Sequence, residues 1–164
     1  RLPEGLFEQL KDSISDIEDN DWDWINSVNL RGPFILTKTV SKIMQDQGHG
    51  RIVNIGSVFG MVSKAKRATY STTKWGLIGF TKAVALDLAP HNILVNAVSP
   101  GFVDTELTKK ILGEKGIKQI VDTIPQKRLA NVEEIAKTVI FLCSEHNTYI
   151  TGQNITVDGG FTSA

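Results

Sequence analysis

Arg51-Ile-Val-Asn-Ile55 and Ile93-Leu-Val-Asn-Ala-Val98 are two short apolar, β-rich runs, and what lies between them decides the fold. Neither run alternates in polarity, which is the pattern of a strand covered on both faces. Between them, residues 69 to about 89 read as one helix closed by Pro90, with Trp75, Leu77, Ile78, Phe80, Val84, Leu86 and Leu88 spread around most of its circumference. Strand, long helix, strand is the unit of a parallel sheet joined by right-handed helical crossovers. Outward from this unit, residues 22 to 46 predict a helix carrying Trp22, Ile25, Val28, Phe34, Ile35, Val40 and Ile43, ended by Gly48-His-Gly50. On the other side Pro100-Gly101 stops the second strand. Asn131-Val-Glu-Glu134 has the form of an N-cap with its reciprocal acid, opening a helix to about Ser144. Asn154-Ile-Thr-Val157, between Thr151-Gly152 and Asp158-Gly-Gly160, is a third strand. The expected architecture is a layered α/β fold. A helix apolar all round must be covered on both sides. One side of 69–89 faces the sheet; the other meets either a partner subunit or more of the same chain, with Gly76 and Gly79 permitting close approach.

The 164 residues read as a single domain, 1–164, with 18 Lys and Arg against 18 Asp and Glu. That balance lacks the long-range positive field of a nucleic-acid binder or a polybasic membrane protein. No apolar stretch approaches the roughly 20 residues of a membrane span, and the sequence as it stands opens on no signal-peptide pattern. Cys143 is the single cysteine and has no partner for an internal disulfide, so a reducing, cytoplasmic setting is expected. It reads as a small apolar residue near a helix end. His49, His91 and His146 are scattered among polar neighbours without metal-ligand spacing and read as surface residues, so no metal is expected.

The chemistry concentrates in Ala68-Thr-Tyr70-Ser-Thr-Thr-Lys74. At i and i+4 on a helix, Tyr70 and Lys74 share a face, so the ammonium can sit close to the phenol. A free phenol titrates near 10, and a neighbouring positive charge favours the phenolate, which predicts a lowered value. Ser57, thirteen residues before Tyr70 at the end of the first strand, can hydrogen-bond the same substrate oxygen. Asn29 lies four residues before Pro33. Proline has no N–H to bond the Asn29 carbonyl and its ring crowds that oxygen, so a kink is expected there.

Asn29, Ser57, Tyr70-x-x-x-Lys74, Asn96-Ala-Val-Ser-Pro-Gly101, Thr105 and the closing Tyr149-Ile-Thr-Gly-Gln-x-Ile-x-Val-Asp-Gly-Gly160 arrive in one order. In that order they resemble the short-chain dehydrogenase/reductase family, of the β-ketoacyl-carrier-protein reductase type. The resemblance runs from about residue 22 to the C-terminus. It implies a Rossmann-type doubly wound parallel sheet, here its C-terminal half with about three strands and flanking helices. It also implies an NAD(P)-dependent oxidoreductase that interconverts a carbonyl and a secondary alcohol. Tyr70 would be the acid or base, Ser57 would polarise the substrate oxygen, and Lys74 would serve both the tyrosine and the nicotinamide ribose. Asn29 would hold a water through its carbonyl. Tyr70, Lys74, Pro100, Gly101, Val103 and Thr105 are the implied contacts to NAD or NADP, and the implied partners are a small carbonyl or alcohol substrate and further copies in a homodimer or homotetramer.

The resemblance leaves gaps. No glycine-rich phosphate-binding turn precedes Asn29, so the chain reads as the C-terminal portion of a longer enzyme, with 51–55 as a bare apolar sheet edge. The alternative is a catalytically incompetent half-domain serving as an oligomerisation or regulatory module. The arginines that grip an acidic carrier in true carrier-protein reductases are absent at the matching Gly48 and His91. The substrate-loop region 106–128 holds Lys109, Lys110, Lys115, Lys118, Lys127 and Arg128 against Glu106, Glu114 and Asp122. That excess reads either as a preference for an anionic substrate or as a solvated helix face.

Overall fold

The computed structural model describes residues 12–163. Its sheet has three strands, β1 (Gly50–Ile55), β2 (Ile93–Pro100) and β3 (Asn154–Val157), all parallel and in the order β1-β2-β3. Gly50 pairs with Ile93 through to Ile55 with Val98, and Ala97 pairs with Asn154 through to Pro100 with Val157. The helices are α1 (Asp19–Asn26), α2 (Gly32–Gln47), α3 (Ala68–Leu88), α4 (Glu106–Thr123) and α5 (Val132–Cys143).

The central strand shows why its sequence is uninterrupted by charge: Ile93 to Ser99 are all buried. One face packs on α2 and α3, where Ile52, Ile93 and Val95 meet Met44, Val84, Ala85 and Leu88. Successive side chains alternate faces, so Arg51 and Asn96 point the other way. There Arg51 Nε donates to the Asn147 carbonyl at 3.1 Å and Asn96 Nδ2 to the Ile150 carbonyl at 2.7 Å, beside α5.

Three expectations are refined. β2 runs through Pro100 instead of stopping before it. The amides of Ala97 and Gly101 bond towards β3, so by alternation the nitrogen of Pro100 faces past the end of β1, where no ladder bond is lost. The break expected near Asn29 is present as a π-turn over Ser27–Arg31, and Gly32 N–H bonds the Ser27 carbonyl. Pro33, lacking an N–H, makes the ordinary α-helical ladder impossible at this point. At the third point, only part of the apolar residues of the two long helices is core. On α3 the buried residues are Thr69, Ser71, Thr73, Leu77, Thr81, Ala85 and Leu88, whereas Trp75 is 54% and Leu86 77% exposed. Leu30 packs over Gly76, and Gly79 faces open space. On the preceding helices Ile25 is buried while Val28, Phe34, Ile35 and Ile43 are exposed.

β1 is the edge of the described sheet, as expected. Beside it lies a hollow of about 330 Å³ lined by Asn29, Leu36, Val40, Ile52 to Ile55 and Lys74. The capping box at Asn131 and Glu134 is formed, with Asn131 N–H donating to Glu134 Oε2 at 2.7 Å. No described helix is long and apolar enough to cross a membrane.

Candidate active site

The carboxyl ends of β1 and β2 bring the chemistry-bearing residues together. Immediately after β1, Ser57 caps a single 3₁₀ turn over Val58–Gly60, its Oγ accepting from Phe59 N–H at 3.2 Å. The turn lies tight against α3: a Cβ on Gly60 would sit 2.9 Å from the Lys74 carbonyl oxygen, a contact only glycine avoids. Tyr70 stands in the first turn of α3, its ring edge-on to Phe59 with centroids 6.3 Å apart. It lines one pocket with Ser57, whose side chain is near enough to favour the phenolate. One helical turn on, Lys74 Nζ lies 5.6 Å from the Tyr70 ring centroid and donates to the Ile55 carbonyl at 2.9 Å.

Asn29 reaches the same helix by a different route. Its Nδ2 donates at 3.1 Å to Thr73 Oγ1, which itself donates to the Tyr70 carbonyl at 2.8 Å. Thr73 is fully buried, so this chain ties the π-turn to the turn of α3 that carries Tyr70 and Lys74. Asn29 and Lys74 line the hollow beside β1, while Ser57, Tyr70 and Gly101 line a neighbouring pocket of about 210 Å³.

Electrostatics depart from the expected pattern. Burial raises the Tyr70 phenol above its ordinary value, opposed by the Ser57 side chain and the charge of Arg67. Lys74 is not among the groups that lower it: its Nζ bonds a carbonyl and lies over the ring, and burial lowers its own value.

Of the residues expected beside a coenzyme, Pro100 ends β2 and Gly101 N–H bonds the Val157 carbonyl at 2.9 Å. The glycine is required by the chain itself, since a Cβ on Gly101 would come within 2.8 Å of the Asp158 Cα. Val103 forms a bridge with Ala130, and Thr105 is the N-cap of α4, its Oγ1 accepting from Thr108 N–H at 3.1 Å. Pro100, Val103 and Thr105 line neither of the two cavities.

The sequence reading missed Arg67, Phe59, Phe102 and Thr73. Arg67 had a signal, a cation immediately before the helix that carries Tyr70; the others are placed by tertiary packing alone. Three of the six cations of region 106–128 are engaged on the surface. Lys109 pairs with Asp104 at 3.2 Å and Glu106 at 3.3 Å, Lys127 donates to the Asp122 carbonyl, and Arg128 pairs with Glu134 at 2.7 Å.

A family model described as enoyl-(acyl carrier protein) reductase matches residues 4–162. The chain belongs to the short-chain dehydrogenase/reductase family. Among its relatives, the 3-oxoacyl-[acyl-carrier-protein] reductase of Aquifex aeolicus is 49% identical over 140 residues, covering 85% of this chain and 56% of that protein. A gluconate 5-dehydrogenase from Burkholderia cenocepacia, solved with NADP and tartrate, superposes with a TM-score of 0.90 at 32% identity, over 94% of this chain and 61% of that one. A 4-hydroxyisoleucine dehydrogenase mutant with NADH and succinate gives 0.89 at 33% identity, over 94% of this chain and 64% of that one. The family's Rossmann-type fold is therefore this chain's fold. The chain spans between 56% and 63% of the length of the curated relatives it matches.

Proposed function

We propose that the chain, read as the single domain 1–164, carries the proton-transfer half of an NAD(P)-dependent oxidoreductase that interconverts a carbonyl and a secondary alcohol. The observation that carries this reading is that Ser57 and Tyr70 line one pocket, with the Lys74 ammonium over the tyrosine ring, at the carboxyl ends of parallel strands. Ligands of open α/β sheets bind there.

The donor chemistry fits a nicotinamide ribose. Lys74 has three donors; one goes to the Ile55 carbonyl, and no other acceptor for it is found among the described residues. Lys74 also borders a hollow shared with Asn29, which leaves its remaining donors available to neighbouring ribose hydroxyls. When bound, the coenzyme supplies or takes the hydride. In the reducing direction Tyr70 gives its phenolic proton to the substrate oxygen as the carbonyl carbon gains the hydride, and Ser57 donates to that same oxygen. The resulting phenolate is reprotonated from the Lys74 side, where the Asn29 carbonyl would hold a water. Oxidation reverses each step. Gly101 lines the pocket beside Ser57 and Tyr70, and Pro100, Val103 and Thr105 are the further contacts expected with the coenzyme. Region 106–128, mostly α4, covers the substrate.

The solved relatives that hold NADP with tartrate and NADH with succinate support a small polar substrate. The reductases matched at 40–49% identity support the reaction class. Association into a homodimer or homotetramer is supported by the exposed apolar residues of α2 and α3, Phe34, Leu36, Trp75 and Leu86. These faces also suit a non-catalytic half-domain, but that reading assigns no work to the joined Ser57, Tyr70 and Lys74.

Tyr70→Phe, made in the longest natural polypeptide that contains this chain, tests the role. General acid–base catalysis contributes typically about 10²–10⁴-fold, so kcat should fall by at least about a hundredfold while coenzyme affinity, measured by titration, is retained. Retention of more than about a tenth of the activity refutes the role of Tyr70.

A further inference from the structure

The pocket at Ser57 and Tyr70 has a predominantly apolar wall made by Phe59, Phe102, Leu107 and Ile111, and one charged residue, Arg67. Arg67 is half-buried, with its guanidinium carbon 5.8 Å from the Phe59 ring centroid. Stacking on Phe59 fixes the planar group beside the pocket instead of letting it extend into water. Its field reaches the reacting oxygen, since Arg67 and Tyr70 interact through charge. The cations of α4 and the segment after it that pair with Asp104, Glu106 and Glu134 do not line this pocket.

We propose that Arg67 is the specificity-determining residue and that the pocket takes a short oxo or hydroxy acid. Its carboxylate pairs with the Arg67 guanidinium while its carbonyl or hydroxyl oxygen meets Tyr70 and Ser57. This rests on the oxidoreductase reading of those two residues. Arg67, the N-cap of α3, and Tyr70 in its first turn line one small pocket, and its size sets the class. The 210 Å³ formed by these residues lies below the roughly 300–1,000 Å³ of pockets for drug-sized ligands. A guanidinium pairs with a carboxylate by two parallel hydrogen bonds, which an ester cannot accept in the same way.

The test compares short oxo acids of about three to six carbons with their methyl esters, in the longest natural polypeptide with NADH and NADPH. The unaltered enzyme should prefer acid to ester by about ten- to a hundredfold in kcat/KM, the range of a charge-assisted pair. Arg67→Met should abolish the preference by raising KM for the acid far more than for the ester, and be partly rescued by Arg67→Lys. An equal acid and ester rate in the unaltered enzyme overturns the proposal without any variant, while leaving the oxidoreductase reading intact. Malonate, which has no carbonyl to reduce, separates the two ideas. Calorimetric binding of malonate that is lost in Arg67→Met supports the anion site even if no carbonyl is reduced, in which case the oxidoreductase reading falls. Malonate binding equal in the two proteins overturns the proposal.

Discussion

Along α3, the face turned to the sheet and the face turned away are built from opposite materials. Towards the sheet lie Thr69, Thr73, Leu77, Thr81, Ala85 and Leu88, all buried. Away from it stand Trp75 and Leu86, with Phe80 edge-on to Phe34 of α2 at 6.4 Å. Hydrophobicity alone would turn the helix over. Size explains the arrangement: small side chains let the helix lie close to β2, and their hydroxyls find partners. Thr81 Oγ1 donates to the Leu77 carbonyl at 2.8 Å and accepts from Asn54 Nδ2 at 2.9 Å. Among the described residues no buried side-chain polar atom lacks a partner. The close approach also brings Tyr70 and Lys74, at the start of the same helix, to the strand ends where Ser57 waits. The outer face is large and apolar because its burial depends on something other than this sheet.

The largest effect on stability should come from the inner face. Leu77 is 2% exposed, and Leu77→Ala should cost about 2–5 kcal/mol, read as a lower urea midpoint with an unchanged slope. A cost under about half a kilocalorie would mean that the inner face does not hold the helix. Next comes Thr81→Val, equal in shape but without the acceptor for Asn54 Nδ2. Leaving that buried donor unpaired should cost about 1–3 kcal/mol. Neutrality would show that size alone, and not the hydrogen bond, selects threonine.

The outer face should behave in the opposite way. Leu86→Glu should change the stability of an isolated subunit by no more than about 0.5 kcal/mol, yet lower the association state seen by sedimentation. If sedimentation is unchanged, the exposed leucine is not an interface residue. The smallest effect belongs to a surface where charge, not packing, holds a helix end. Glu134 pairs with Arg128 and caps α5, which lowers its carboxyl from 4.5 to about 2. The Arg128 hydrogen bond is the main cause, with the Asn131 amide second. Because the folded value is the lower one, the stabilisation is complete above about 4.5 and is lost as pH falls towards 2. An NMR titration of the Glu134 carboxyl should show that midpoint, and Arg128→Met should move it up. An unmoved midpoint would assign the shift to the cap alone.

Legibility in the sequence followed the range of the interactions. The strands, the capping box and the Tyr70–Lys74 spacing depend on neighbours a few residues away, and these matched closely. The disruption near Asn29 was also local, because one missing N–H on Pro33 forces it; its form as a π-turn was not, since the carbonyls have more than one way to find new partners. Tyr70 shows the limit most clearly. Spacing put a cation within reach and predicted an easier ionisation, but burial, which depends on every element around the ring, moves the phenol the other way.

By itself, then, the sequence determined that this is a parallel α/β chain of the short-chain dehydrogenase/reductase family, and it singled out Ser57, Tyr70 and Lys74 as the residues proposed for its chemistry. Period, turn chemistry and motif order are written in consecutive residues. Only the tertiary structure decided which face of α3 meets the sheet, that Thr73 joins Asn29 to the Tyr70 turn, and that Arg67 rather than α4 supplies the charge in the pocket. Those outcomes depend on distances between segments far apart in the chain, and on how closely small side chains let two backbones approach.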